Sequence, residues 1–290
     1  MKISLPLTIF LCAVLSSGDP FTETVCTITA SHQARIGVSV IGIEDDTALE
    51  INTGKYPMES VFKFHIALAV LHEVDRGSLL MDQTIVITKD DLAEKTWSPI
   101  KDRYPDGAKL PLSEVLKLTV EQSDNIGCDI LLRLIGGPGK VNDYIRSLGI
   151  RDAEIAVTEK QMHEKRDDQY RNWTTPQAAS QLLKKFCTGK ILSEKSTSLL
   201  LSLLSGATTG TKRLSAGLPP KTPLAHKTGT SGTSGGITAG VNDIGIVTMP
   251  DGRRYAISVF VADSRESMET NEKIIAAISK AAWTFFAAGK

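Results

Sequence analysis

Ser60 and Lys63 stand three residues apart in an otherwise apolar stretch, PMESVFKFHIALAVLHEV at positions 57–74. On a helix that spacing puts hydroxyl and amine on one face, within hydrogen-bond reach. Pro57 and the apolar run after Val61 set Ser60 at a helix start, where backbone N–H groups favour developing negative charge. The chemistry open to such a pair is nucleophilic attack by a serine beside an amine. A buried ammonium is costly unless it is paired or used, whereas Ser and Lys together on a surface are ordinary. A second S-x-x-K, formed by Ser98 and Lys101, contains Pro99, which argues against one continuous helix there.

Two triplets add to this pair. Ser123-Asp124-Asn125 falls between two helical stretches, from which side chains can project into a cleft. Lys227-Thr228-Gly229 follows the apolar Leu224-Ala225, as in a sheet strand. Each triplet arises by chance in roughly a few per cent of chains this long. Both together, in order, behind a helical S-x-x-K, weigh against coincidence. GTSGG at 232–236 also fits G-x-S-x-G, but that motif needs a following helix and a later histidine. The residues after Gly236 are strand-like instead, and the last histidine is His226.

The elements that must position these groups fall into three blocks. Phe21, Val25 and Ile28 recur at helical spacing, and then RIGVSVIGI (35–43) and ALEIN (48–52) flank the turn EDDT as a hairpin. Near the other end, residues 244–249 and 255–262 flank PDGR as a second hairpin, followed by a helix with Ile274, Ile275, Ile278, Ala281, Ala282 and Phe285 as its apolar stripe. From 60 to about 204 the period is mostly helical, broken by a short strand signal at 85–87. Helices stop at Arg76-Gly77 and Gly136-Gly137, one starts after Thr175-Pro176, and Ser193 caps another. The pattern predicts an α/β (α+β) fold of two domains: a five-stranded antiparallel sheet flanked by helices, built from 19–57 and 205–290, with an all-helical domain, 58–204, inserted.

The chain of 290 residues, 41% apolar and 23% charged, is that of an ordinary globular protein with a sizeable core. Lys+Arg and Asp+Glu both number 33 and form no basic block, which argues against nucleic acid or an anionic membrane as partner. Residues 1–18 have the layout of a secretory signal peptide: Lys2, an apolar run to Leu15, then Ser16, Ser17 and Gly18. The run is short for a membrane span, so an exported, periplasmic protein is expected, with no membrane contact after cleavage. Cys26, Cys128 and Cys187 sit among apolar neighbours and are expected to pack as small hydrophobes without a disulfide. The five histidines are scattered, with no metal-ligand spacing, and no cofactor is called for.

The three motifs together resemble the serine β-lactamases and penicillin-binding proteins, over essentially the whole mature chain. TEKQMH at 158–163 resembles the Ω-loop of class A β-lactamases, placing that loop at about 154–172. MESVFKFHIALAVL, TWSP at 96–99 and QYRNWTTP at 169–176 are most similar to the extended-spectrum PER, VEB and TLA branch. The resemblance implies a monomer that opens β-lactam rings without metal or cofactor. It makes Ser60 the nucleophile and Glu159 the hydrolytic glutamate, with Lys63 in a network with Ser60, Glu159 and Asn125. Ser123 relays a proton to the leaving nitrogen. Lys227, Thr228 and Thr230, with Gly229 between them, bind the substrate carboxylate, and the N–H groups of Ser60 and Thr230 form the oxyanion hole. Trp97 matches an aromatic gatekeeper at the cleft mouth.

The sequence also departs from the common class A pattern. The arginine usual on the strand after K-T-G is absent, with Asn242-Asp243 in its place, and Arg213 is the natural substitute; a solvated surface arginine is the plainer alternative. Val157 and Asn172 occupy the places of the bridge across the Ω-loop neck, and His163 replaces an asparagine that holds the hydrolytic water. Asp129, one turn after Asn125, also replaces an asparagine; it would face Glu159, and two close carboxylates rarely both ionise. Asp129 is therefore expected to bond loop backbone in a differently folded Ω-loop. The glycine-rich KTGTSGTSGGITAGVN at 227–242 is expected to be permissive and to widen the cleft edge. Two rivals keep the fold: a D,D-peptidase, and a sensor or trap that stays acylated. Glu159 separates them, because fast deacylation needs a base.

Overall fold

The computed structural model describes residues 18–45 and 47–289. Apart from Gly18, the export signal read from the sequence lies outside the described residues. In the first block, α1 (Pro20–Ala30) precedes β1 (Arg35–Gly42) and β2 (Ala48–Ile51). The centre holds β3 (Tyr56–Pro57), α2 (Phe62–Asp75), β4 (Thr84–Ile87), α3 (Pro99–Arg103), β5 (Ala108–Pro111), α4 (Leu112–Glu121), α5 (Asn125–Leu134), α6 (Pro138–Ser147), β6 (Ala153–Glu154), α7 (Glu159–Glu164), β7 (Trp173–Thr174), α8 (Pro176–Cys187) and α9 (Glu194–Ser205). The last block is β8 (Leu224–Thr230), β9 (Thr233–Ser234), β10 (Ile237–Thr248), β11 (Arg254–Ser264) and α10 (Met268–Ala287).

The main sheet runs β2-β1-β11-β10-β8, antiparallel throughout, so strands from the two chain ends pair directly, Val38 opposite Val259. The short β9 adds to the start of β10. Both faces of the sheet are covered, which alternate residues report. Val38, Val241, Ile257, Val259 and Val261 pack with Phe21 and Val25 of α1 and Ile274, Ile275 and Ile278 of α10. On the other face, Ile244, Ile246, Ala256, Phe260 and Ala262 join the core of the helical block, which centres on the fully buried Ile66, Leu68 and Leu71 of α2. Helix α8 is seated on this face, its Ser180 hydroxyl donating to Ser39 O (3.0 Å) and hydrogen-bonded to Ser258 Oγ (2.9 Å).

Helix starts follow the local chemistry. Thr175 and Ser193 cap α8 and α9, and Pro176 occupies the first turn, where its missing N–H is no loss. The same effect corrects the expectation at Pro99. A short helix does form there, beginning at the proline, with Ser98 as its cap. The glycine-rich segment is also more ordered than expected: β10 begins at Ile237 rather than at 244. It forms a hairpin with β9 through Gly235 and Gly236, whose φ values of 58° and 74° suit glycine.

Candidate active site

Ser60 lies on the 3-10 turn Glu59–Val61 that runs into α2, and Lys63 follows one turn later, fully buried. The Lys63 ammonium donates to Ser60 Oγ (2.7 Å), to Asn125 Oδ1 (2.8 Å) and to Glu159 Oε1. Burial, the largest single effect, would lower its pKa, but the Glu159 carboxylate, joined by weaker neighbours such as Asp124, outweighs it and holds Lys63 charged, above its ordinary value. The lysine in an apolar stretch is thus explained by three partners that the folded chain supplies. Asn125 opens α5 and donates through Nδ2 to Thr96 Oγ1 (2.6 Å), which fixes its amide with the oxygen toward Lys63. Asp124 caps the same helix at Gly127 N (2.7 Å) and accepts from Ser98 Oγ (2.8 Å) and Ile100 N (2.6 Å). The second S-x-x-K is therefore structural: Lys101 reaches Glu94 O instead of Ser98 Oγ.

Glu159 begins α7, whose N-terminus is a capping box between Thr158 and Gln161. Asp129 accepts from Glu159 N (2.8 Å) and Lys160 N (2.9 Å), the loop-backbone bonding expected of it. Its pKa is pushed up to about 6, mainly by burial and further by the Glu159 carboxylate, against the pull of those two N–H groups. Pairing of β6 with β7 closes the segment 155–172. Across that neck Asn172 Oδ1 accepts from Ala156 N (2.8 Å) and Val157 N (3.0 Å), while Nδ2 donates to Val157 O (3.0 Å). One buried amide does what an ion pair would do. His163 is exposed and lines, with Asp129 and Glu159, a cleft of about 250 Å³. Farther along, Arg166 Nη2 donates across the cleft edge to Gly232 O (3.2 Å) and Ile237 O (3.1 Å) of the β9–β10 hairpin.

On the other side of Ser60, apart from the cleft lined by His163, lies β8. Lys227 is buried and donates to Ser123 Oγ (3.0 Å) and Thr228 O (3.1 Å). With no carboxylate bonded to it, burial and the nearby Lys63 push its pKa down to about 7. Ser123 is presented from a left-handed backbone, φ 59°. Thr228 Oγ1 is hydrogen-bonded to Thr209 Oγ1 (2.6 Å), and Thr230 Oγ1 accepts from Arg213 Nη2 (2.7 Å). Arg213 is buried, which removes the surface alternative. Its Nη1 also donates to Gly229 O (3.0 Å) and Asn242 O (2.9 Å), so the guanidinium is braced against β8. A Cβ on Gly229 would lie 2.4 Å from Met58 O and 3.2 Å from Ser60 N. Only glycine lets the strand press on the backbone that carries Ser60. Trp97 is 61% exposed, its Nε1 donating to Gln122 O (2.9 Å) and its carbonyl accepting from Asn125 N (3.2 Å).

Residues without an assigned role in the sequence reading complete the scaffold. Asn242 donates through Nδ2 to Pro57 O (2.9 Å) and Met58 O (3.2 Å), and Asp243 is paired with His226 (2.9 Å) and accepts from Leu214 N (3.2 Å). Their local signal was two polar residues in a strand otherwise built for burial, where each must find a partner. Among the described residues no cluster of three or more His, Cys, Asp or Glu is placed to hold a metal ion, and no helix is long and apolar enough to cross a membrane.

A serine, a charged lysine and a carboxylate meeting under a strand lysine, on a sheet made of both chain ends, define a class of acyl-transfer fold. Within that class, a family model described as the Beta-lactamase enzyme family matches residues 20–286, and the chain belongs to that family. It is a class A β-lactamase, a hydrolase of the β-lactam amide. It is similar to β-lactamase VEB-1 of Pseudomonas aeruginosa, 44% identical over 97% of this chain and 95% of that protein. The extended-spectrum β-lactamase PER-1 of Pseudomonas aeruginosa is likewise 44% identical, over 91% of this chain and 86% of its own. Among solved structures, TLA-1 extended-spectrum β-lactamase superposes with a TM-score of 0.90 at 47% identity, covering 92% of this chain and 98% of the other.

Proposed function

We propose that Ser60 attacks the lactam carbonyl and that Glu159 is the base for both halves of the reaction. The observation that carries this is the convergence of Ser60 Oγ, Asn125 Oδ1 and Glu159 Oε1 on one ammonium, Lys63 Nζ. A lysine held charged donates rather than accepts, so the serine proton passes to Glu159 through a water. The Ser60 Oγ–carbonyl bond forms, the ring C–N bond breaks, and the nitrogen takes a proton from Ser123, which Lys227 bonds; the proton held by Glu159 is passed on to restore the Ser123 hydroxyl, leaving Glu159 a carboxylate again. The developing oxyanion faces the N–H groups of Ser60 and Thr230. Glu159 then draws a proton from water, whose oxygen bonds to the ester carbonyl; the bond from that carbonyl to Ser60 Oγ breaks, and the proton on Glu159 passes to Oγ, restoring Ser60. Lys227, Thr228 and Thr230 hold the substrate carboxylate, with Gly229 giving the close strand approach and Arg213 adding positive charge behind them. Asp129 and Asn172 keep Glu159 in place, His163 flanks it, and Trp97 borders the entrance.

The substrate class extends to bulky oxyimino-cephalosporins, supported by likeness to proteins described as extended-spectrum and by the hairpin at the cleft edge. Export to the periplasm, cleavage near Gly18, the two-domain division and a monomeric state complete the proposal. Steady-state assay with a chromogenic cephalosporin, beside mass spectrometry of the exposed protein, tests it. Fast turnover with no lasting adduct is expected, and a persistent adduct without turnover would make the protein a trap. Deleting 232–236 should lower the ratio of oxyimino-cephalosporin to penicillin turnover. An unchanged ratio would remove the hairpin from substrate choice.

A further inference from the structure

Glu59, immediately before the nucleophile, has an unusual setting. It is buried, with a left-handed backbone (φ 46°) that a side chain rarely adopts. Its Oε1 is shut off from solvent and has no hydrogen-bond partner. Two glycines make the space: a Cβ on Gly240 of β10 would lie 2.9 Å from Glu59 Cγ, and one on Gly229 of β8 would lie 3.0 Å from Glu59 Cβ. Strained backbone and an unsatisfied buried oxygen, beside the reacting serine, are features that a fold keeps at functional positions at some cost in stability.

The charged neighbours do not compensate a carboxylate there. Lys63 of α2 is committed to Ser60, Asn125 and Glu159, and Lys227 of β8 to Ser123 and Thr228 O. Arg166 spends its bonds on Gly232 O and Ile237 O, and Tyr170 donates to Asp263 (2.7 Å). Glu159 of α7 adds like charge, and the Asn242 side chain of β10 gives its Nδ2 to Pro57 O and Met58 O.

We propose that Glu59 is a positioning residue that serves catalysis only as the neutral acid, filling the space behind the oxyanion hole without placing charge there. Ionised, it would stand on the chain between Ser60 and the Gly229–Thr230 edge and oppose negative charge developing on the lactam oxygen. Burial first, then the Glu159 carboxylate, raises its pKa to about 8, with Lys63 and Arg166 offsetting only part of this. This inference rests on the acyl-transfer assignment above and concerns its alkaline limb.

The test compares kcat/KM for one cephalosporin from pH 6 to 9.5 in the wild type, Glu59→Gln and Glu59→Met. Lys227 loses its proton in the same region but lowers all three curves, so the readout is the ratio of each variant to the wild type. That ratio is expected to rise about thirtyfold between pH 6.5 and 9.5, the fall of a single-proton limb centred near pH 8. Two uncharged variants of different polarity guard against a folding defect in either one, because lost packing would shift the ratio without giving it a pH dependence. A ratio flat with pH in both variants, or one that falls, overturns the proposal. No wild-type turnover at any pH would instead overturn the enzymatic assignment itself, and this inference with it.

Discussion

The two walls of the cleft each bury a lysine, and they treat it in opposite ways. Lys63, on the helical side, has a carboxylate in direct contact and is held charged above its ordinary pKa. Lys227, on the strand side, is equally buried but meets only a hydroxyl and a carbonyl, and its pKa falls to about 7. A third buried base, His65, has no carboxylate beside it, and burial, only partly offset by the Val61 backbone, brings its pKa down to about 4. Burial is common to all three. The difference between them is the counter-charge, complete at Lys63 and missing at Lys227 and His65; at Lys227 the proposed anionic substrate would supply it. A site that must bind an anion gains by leaving one cation without a carboxylate.

The largest test of this contrast is to remove the counter-charge at Lys63. Glu159→Ala should lower turnover about a thousandfold and leave the acyl-enzyme as a lasting mass adduct; unchanged turnover would mean that another group is the base. Next comes His65, whose contribution derives from its lowered pKa. The unfolded chain takes up this proton near pH 6.5 and the folded one only near 4, so stability is full above 6.5 and falls as pH drops through that window. The loss amounts to about 3 kcal/mol. Urea titrations at pH 7 and 4 should show a smaller drop for His65→Leu, and equal drops would sink the claim. On the strand wall, Lys227→Met should reduce kcat/KM about a hundredfold, the value of one charge-assisted contact. The loss should fall mainly in KM, and be much smaller with a substrate whose carboxylate is esterified. The smallest effect is at the neck: Asn172→Ala strips three backbone bonds and should cost about 2 kcal/mol, read as a lower midpoint in thermal melting.

How much of this was legible in the sequence depended on how local each contact is. Ser60–Lys63, the Ser123–Asn125 turn and the Lys227 strand carry their geometry in short spacings, so helix and strand periods sufficed to place them. Asp129 was readable for the same reason, one helical turn beyond Asn125. Asn242 was seen only as the lack of an arginine, because its partners, Pro57 O and Met58 O, are brought to it by sheet packing across 185 and 184 residues. Arg213 sits in a polar, glycine-bearing segment with the composition of a surface loop, and nothing local reports that Gly229 O, Thr230 and Asn242 O enclose it. The start of β10 was missed because glycine and serine mask a strand whose register is set by β8 and β11. Glu59 has no local signal beyond being an acid next to an apolar run, and its two-glycine niche exists only once β8 and β10 close on it.

Arg166 has a consequence for how this enzyme can change. Its two bonds to Gly232 O and Ile237 O fasten the loop that carries the Glu159 carboxylate to the hairpin rim opposite. Substitutions on either side therefore share one linkage, and their effects on drug preference should combine non-additively. A lineage that alters the rim first would then find different mutations open to it in the loop than one that takes the reverse order.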